Sequence, residues 1–110
     1  MTFIIVKTNF EAMHFWSEAT QKVAFLKNLH RHIFFVEVKM EVTELDREIE
    51  FFTLKKVLDD YIGVNYKGLE FSKSCEMIAS EIKVYLENNY NNRKISVAVF
   101  EDNENGAICE

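Results

Sequence analysis

Residues 29–42 have the sequence LHRHIFFVEVKMEV, and the spacing of their apolar side chains decides the fold. Every second residue from Phe34 to Val42 is apolar, and Glu37, Lys39 and Glu41 stand between the later ones. This period of two predicts a β-strand with one buried face. Continued backwards, the alternation puts His30 and His32 on that same face. Two of the chain's three histidines are therefore expected at the core-facing start of one strand.

The third histidine ends a similar stretch. Residues 2–14 also alternate, with Val6, Phe10 and His14 on one side, and predict a first strand. If the two strands are antiparallel neighbours, His14 lies near His30 and His32, and all three face the same way. Three imidazoles without a fourth protein ligand match a zinc site that keeps an open position. The alternative is that they are ordinary strand-end histidines, satisfied by backbone carbonyls.

The rest of the chain adds two helices and two more strands. Apolar residues recur at helical spacing in residues 51–62 and again in residues 78–90, and Ser72 or Ser74 could cap the second helix. Residues 95–101 resume alternation, residues 101–106 (EDNENG) predict a turn, and AICE predicts a short returning strand. The order β-β-α-α-β-β predicts an α+β fold in which a four-stranded antiparallel sheet carries two helices on one face.

Composition limits the class of protein. A chain of 110 residues, 48% hydrophobic and 28% charged, is expected to form one globular domain over residues 1–110. Its net charge of −5, without a basic cluster, argues against nucleic-acid binding. No apolar run is long enough for a signal peptide or a membrane span. The two cysteines predict no disulfide framework, so the cytoplasm is the expected location.

Several blocks of sequence resemble one enzyme family. FEAMHFW, LHRHIFFVEV, IEFFTLKKVL, DYIGVN, SKSCEMIASEI and VAVFE follow in order the signatures of the 6-pyruvoyl-tetrahydropterin synthase and 6-carboxytetrahydropterin synthase family. Those signatures are F-x-A-x-H, C-x-x-x-H-G-H, D-F-x-x-L-K, D-H-x-x-L-N, P-T-x-E and V-x-E. The resemblance covers nearly the whole chain. It implies the tunnelling fold (T-fold), in homo-oligomers that are trimers or hexamers with the site between subunits.

The resemblance also implies roles for individual residues. It implies zinc on His14, His30 and His32, and a pterin- or purine-like heterocycle anchored by Glu101. One carboxylate can accept hydrogen bonds from the adjacent ring N–H and amino group of such a heterocycle. Without the resemblance, Glu101 would simply open the acidic turn. Ser74 and Cys75 correspond to the loop that approaches the ring, although they could equally be residues at a helix start.

The chain departs from the family where protons are transferred. Leu26 stands where the family has its catalytic cysteine, and a leucine can neither accept a proton nor act as a nucleophile. The D-H pair is Asp60-Tyr61, a tentative catalytic pair in which a phenol replaces the imidazole. Three further substitutions are Arg31 for the glycine of H-G-H, Lys73 for the proline of P-T-x-E and Glu50 for the aspartate of D-F-x-x-L-K.

Two functions are compatible with these substitutions. The first is a zinc-containing protein that binds the heterocycle but has lost the synthase reaction. The second is an active enzyme of altered chemistry, a lyase or aldolase acting on dihydroneopterin triphosphate or a related pterin, in which zinc and water replace the cysteine. A purely structural domain that has lost metal and ligand is a third alternative. Turnover of dihydroneopterin triphosphate separates the first two.

Overall fold

A pair of long strands forms the centre of the fold. The computed structural model describes residues 1–110, in which β1 (Thr2–His14) and β2 (His30–Val42) pair antiparallel along their whole length, from Thr2 opposite Val42 to His14 opposite His30. Buried and exposed residues alternate along both strands as the sequence predicted. Because the register is continuous, the ends of the two strands that carry histidines coincide.

The remaining elements follow in the expected order, with two additions. A 3₁₀ helix (Gln21–Lys27) lies in the β1–β2 connection, and a two-residue strand lies between the α-helices. The other elements are α1 (Phe51–Asn65), β3 (Glu70–Phe71), α2 (Cys75–Asn89), β4 (Ile95–Glu101) and β5 (Gly106–Cys109). The fold is therefore α+β, as predicted.

The sheet differs from the predicted four-stranded antiparallel one. It has five strands in the order β3-β1-β2-β4-β5, and it is mixed, because β3 pairs parallel to β1. After α1 the chain turns at Gly68, whose φ of 73° is in the left-handed region, and its N–H donates to the Glu11 carbonyl. Two residues are too few for an alternating pattern, so β3 had no sequence signal. Its pairing places Phe71 beside His14.

Two helices cover one face of the sheet. The Glu50 carboxylate caps α1 by accepting from the backbone N–H groups of Phe52 and Thr53, and the Ser74 hydroxyl caps α2 by accepting from the Met77 N–H. The buried helix residues are Leu54, Leu58 and Ile62 in α1, and Cys75, Ile78, Ala79, Ile82 and Leu86 in α2. Phe51, which fits the helical spacing, is 58% exposed at the first position of α1. None of the helices has the length and apolar character needed to cross a lipid bilayer.

Aromatic rings form the part of the core beneath the three histidines. Phe10 stacks on Phe34 at a centroid distance of 5.1 Å and on Tyr66 at 5.7 Å, and the edge of His14 contacts Phe34 at 5.2 Å. Tyr66 is fully buried, and its hydroxyl donates to the Glu81 carboxylate. Burial and this hydrogen bond raise the pKa of Tyr66 well above its usual value. The three histidines thus lie on a layer of closely packed aromatic rings.

Candidate metal centre and adjoining cavity

The three histidines converge as the strand pattern predicted. One ring nitrogen from each lies within 4.8 Å of the other two. The ring centroids are 4.5 Å apart for His14 and His30, 5.0 Å for His14 and His32, and 4.9 Å for His30 and His32. His14 is buried, and the other two are half-buried. These residues could hold a metal ion.

Each histidine uses its Nδ1 atom to contact an oxygen outside the cluster. The Nδ1 of His14 is 3.1 Å from the Lys73 carbonyl, that of His30 is 2.8 Å from the Asn28 carbonyl, and that of His32 is 2.6 Å from Oδ2 of Asp102. Carbonyl and carboxylate oxygens only accept hydrogen bonds, so each Nδ1 carries the proton. The lone pair then resides on Nε2. Such outer partners fix the tautomer and orientation of metal-binding histidines.

Asp102 remains ionised in this arrangement. Its carboxylate accepts hydrogen bonds from the Ile33 backbone N–H and from His32, and these two contacts lower its pKa. An ionised partner also makes the His32 imidazole a stronger electron donor. The carboxylate therefore supports both the geometry and the basicity of His32.

The Nε2 atom of His14 is buried and has no hydrogen-bond partner. Oε2 of Glu101 lies 3.0 Å away, but a neutral His14 that carries its proton on Nδ1 has no Nε2 proton to donate to it. A buried polar atom without a partner costs about 1–3 kcal/mol. A metal ion bound at this nitrogen would satisfy it. The unpartnered atom and the three free lone pairs both fit a bound cation.

Glu101 is the last residue of β4, so the strand continues up to it, and its carboxylate is directed at the histidines. Proximity to His14 lowers the pKa of Glu101, although partial burial opposes this. The pKa of His14 is raised: burial alone would lower it, but Glu101 and the Lys73 carbonyl outweigh burial. Without a bound cation, the Glu101 carboxylate therefore favours the protonated form of His14, and a metal ion at Nε2 would take the place of that proton.

A cavity of 510 Å³ opens beside His14 and His30. Its lining includes all three predicted ring-contacting residues, Glu101, Ser74 and Cys75. Leu26 of the 3₁₀ helix also lines it, at the position that corresponds to the cysteine of the family that the sequence resembles. The other lining residues are Phe15, Trp16, Ser72, Lys73, Glu76, Met77, Asn105 and Gly106.

Ser74 and Cys75 line the cavity, but the hydroxyl of one is used in a helix cap and the thiol of the other is kept protonated by burial. The Ser74 hydroxyl is the N-cap of α2, which confirms the capping interpretation. Burial raises the pKa of the Cys75 thiol to about 12, and the charges of Glu101 and Glu76 act in the same direction. A thiol that stays protonated at neutral pH is not an activated nucleophile.

Asp60 and Tyr61 do not line this cavity within one chain. The Asp60 carboxylate is exposed and pairs with Lys56 one turn earlier, at 3.0 Å. The Tyr61 ring stacks on Tyr85, with the centroids 4.2 Å apart, and packs against the core. The tentative catalytic pair therefore stays apart from the histidines in the single chain.

Backbone carbonyls contact His14 and His30, as the alternative interpretation of the histidines expected, but sequence reasoning did not identify which carbonyls and missed Asp102. Asp102 belongs to the segment that was interpreted only as a turn, and the acidic residue directly after Glu101 was its one available signal. Asp102 and Asn103 have positive φ values of 52° and 58°, which the tight turn requires. The carbonyls of Asn28 and Lys73 have no sequence signal, because every residue has a carbonyl.

Asp102→Asn should lower the affinity for Zn²⁺ by about 10- to 100-fold, as is usual for loss of an outer partner. The amide nitrogen that replaces Oδ2 cannot accept from Nδ1 of His32, so that imidazole loses its fixed tautomer. Competition with a chromophoric chelator would measure the affinity. Glu104→Gln, an exposed charge-neutralising change in the same turn, is the matched control. Equal affinities for the two variants would contradict a supporting role for Asp102.

No protein-family model matches the chain, and no curated protein matches its sequence. Function is therefore inferred from the residues of the chain and their geometry.

Proposed function

We propose that the protein is a divergent member of the 6-pyruvoyl- and 6-carboxytetrahydropterin synthase family. It holds zinc on His14, His30 and His32 and binds a pterin- or purine-like heterocycle in the adjoining cavity, with the usual synthase reaction lost. The observation that carries this proposal is the set of three imidazoles whose Nδ1 atoms all face oxygen acceptors, which leaves three Nε2 lone pairs for one cation.

Zinc is the metal that we propose for this donor set. Zn²⁺ accepts neutral imidazoles in tetrahedral sites, and three histidines are a common ligand set when the fourth position is used for chemistry or binding. A bound zinc would polarise a ligand oxygen or acidify a water molecule. The buried, unpartnered Nε2 of His14 supports a resident cation at this point.

The cavity suits a small heterocycle. Its volume of 510 Å³ is within the range of about 300–1,000 Å³ that is usual for small-molecule sites. The Glu101 carboxylate stands at its wall, partly exposed, and can accept from two adjacent N–H groups of a pterin or purine edge. The heterocycle would thus be recognised by a charged acceptor and held close to the metal.

The residues that line the cavity support the loss of the family's reaction. The family's cysteine position is occupied by Leu26, and the one thiol in the cavity, Cys75, has a raised pKa. General acid–base groups each contribute about 10²–10⁴ in rate, so their absence nearly abolishes the reaction. We also assign the protein to the cytoplasm, in keeping with its two free cysteines.

An active enzyme of altered chemistry is the second candidate. It is favoured by the open cavity beside the histidines, which would let a substrate and a water molecule reach the metal together. Such an enzyme would act on dihydroneopterin triphosphate or a related pterin. The two candidates differ in whether that compound is consumed.

Neopterin should bind the metal-free protein, and Glu101→Gln should weaken that binding by about 1–3 kcal/mol. The amide of glutamine has only one acceptor oxygen, so one N–H of the ring loses its partner. Quenching of neopterin fluorescence would measure both affinities, with Glu104→Gln as the control for the lost charge. Unchanged binding in Glu101→Gln, or no binding to the wild-type protein, would contradict the heterocycle site.

The tunnelling fold and the trimer or hexamer belong to the same proposal. The sheet face opposite the helices exposes apolar residues, including Ile5 at 47% and Ile108 at 57%, and β5 is an edge strand with unpaired backbone groups. Exposed edges favour pairing with another chain, and a closed ring of sheets removes them. Light scattering should therefore give the mass of a trimer or hexamer, and Ile108→Lys should shift it toward the monomer. A monomeric wild-type protein at micromolar concentration would contradict this assembly.

A further inference from the structure

Glu101 lies where a fourth metal ligand would lie. Its Oε2 atom is 3.0 Å from Nε2 of His14 and 3.8 Å from Nε2 of His32. Two ligand atoms about 2.0–2.1 Å from a tetrahedral zinc are separated by roughly 3.3 Å. The two observed distances fall on either side of that value. The carboxylate oxygen therefore stands in the same relation to the nitrogens of His14 and His32 as ligands of one ion do.

The position of Glu101 is fixed by its backbone. The Glu101 N–H donates to the Asn105 carbonyl, and its own carbonyl accepts from the Glu104 N–H, so the turn after β4 holds the residue from both sides. On the neighbouring strand Glu101 is directly opposite Phe34, whose side chain lies in the core. Its side chain consequently extends along the histidine face of the sheet.

The Glu101 carboxylate points at the histidines: the nearest polar atom is Nε2 of His14, at 3.0 Å, and His32 and His30 add longer-range attraction. A cation between the carboxylate and the imidazoles would explain the arrangement, because both groups would direct lone pairs at it.

We propose that Glu101 is a fourth protein ligand of the metal, and that the heterocycle must displace it in order to bind. This inference rests on the proposed function for the metal and for the ring. An oxygen bound to the ion has part of its charge and one lone pair committed there, so a carboxylate that leaves the metal is the stronger acceptor for the two N–H groups of a ring edge. Ring binding therefore opens a coordination position that is closed in the resting protein. By reciprocity, the metal weakens ring binding as much as the ring weakens metal binding.

Azide binding to the Co²⁺-substituted protein tests whether Glu101 occupies the fourth coordination position of the metal. An open position held by water accepts small anions, whereas a position held by a protein carboxylate does not exchange as readily. We expect the visible Co²⁺ spectrum of the wild-type protein to stay unchanged on azide titration. In Glu101→Gln, azide should shift the Co²⁺ spectrum, and the shift should saturate as the azide concentration rises. A wild-type protein that responds to azide as Glu101→Gln does would overturn the proposal.

The affinity for Zn²⁺ gives a second readout that does not depend on turnover. Loss of a direct ligand should exceed the roughly 10- to 100-fold loss that is typical of an outer partner. Glu104→Gln removes one negative charge from the same turn and should keep the wild-type affinity and azide resistance. If Glu101→Gln does not fold, Glu101→Asp, which keeps a carboxylate on a shorter side chain, should bind azide more readily than the wild type. Equal azide response in Glu101→Asp and the wild type would count against the proposal.

Neopterin tests the displacement of Glu101 by the ring separately from the binding of Glu101 to the metal. In the Co²⁺ wild-type protein, neopterin should make the metal sensitive to azide, because Glu101 moves to the ring. If neopterin binds and the metal stays resistant, displacement is wrong. If neopterin fails to bind at all, the heterocycle site of the proposed function is wrong, and the azide result on the ligand-free protein still decides whether Glu101 is a metal ligand.

Discussion

Replacing His14 with alanine should reduce the zinc content of the purified protein from about one ion per chain to none. His14 is the most buried of the three histidines, and its ring contacts both of the others. Its removal takes away the most buried ligand and leaves two half-buried imidazoles and the partly exposed Glu101, a set that we expect to be too weak to retain the ion at low concentration. Elemental analysis of protein prepared without a chelator or an affinity tag would measure the content.

The control for this variant is Asn9→Ala, on the same strand but exposed on the opposite face of the sheet. It should keep its zinc. His30→Ala, at a more exposed ligand position, tests the same point if His14→Ala folds poorly. A folded wild-type protein that contains no zinc, or His14→Ala protein with full zinc content, would refute the metal centre.

Wild-type protein should leave dihydroneopterin triphosphate unchanged, and Leu26→Cys combined with Tyr61→His should introduce turnover. Leu26 lines the cavity, so a cysteine there would stand beside the metal with a thiol available for proton transfer. Each restored group should contribute about 10²–10⁴ in rate, and the two should act cooperatively because a base needs its partner acid. Side-chain loss followed by mass spectrometry, with zinc present, would measure it.

Phe25→Cys is the matched control for Leu26→Cys. Phe25 is the adjacent residue, is 67% exposed and does not line the cavity, so its thiol should add no activity. Tyr61 lies outside the cavity of its own chain, and the gain from Tyr61→His therefore requires a second copy in the assembly. Turnover by the wild-type protein that Leu26→Cys leaves unchanged would favour the enzyme of altered chemistry.

The histidine cluster could be predicted because strand periodicity is a strong constraint. With a period of two, a slip of one residue would move every apolar side chain of β2 to the solvent. The core residues from Phe34 to Val42 therefore fix the direction of His30 and His32. The continuous register of β1 and β2 then brings His14 opposite His30. The same period of two puts Glu101 on the inner face of β4, opposite the buried Phe34.

The parts that sequence reasoning missed depend on single contacts rather than on repeats. The strand β3 exists because the chain after α1 turns at Gly68 and meets β1, and the 3₁₀ helix Gln21–Lys27 buries none of its residues. Neither segment has a periodic spacing of apolar residues from which it could be predicted. Asp102 acquires its role only when the turn after β4 brings it to His32. Asp60 and Tyr61 were assigned by family resemblance, and within one chain nothing directs them to the cavity.

The outer partners of the three histidines also differ in how they tolerate genetic change. Those of His14 and His30 are main-chain carbonyls, and no point substitution can delete a carbonyl from the backbone. A change of side chain at position 28 or 73 therefore leaves the acceptor in place, and a lysine can stand at 73 where the resembled family has proline. Only His32 depends on a side chain, that of Asp102. A point mutation can consequently remove an outer partner at one codon of the site, that of Asp102 in the turn after β4.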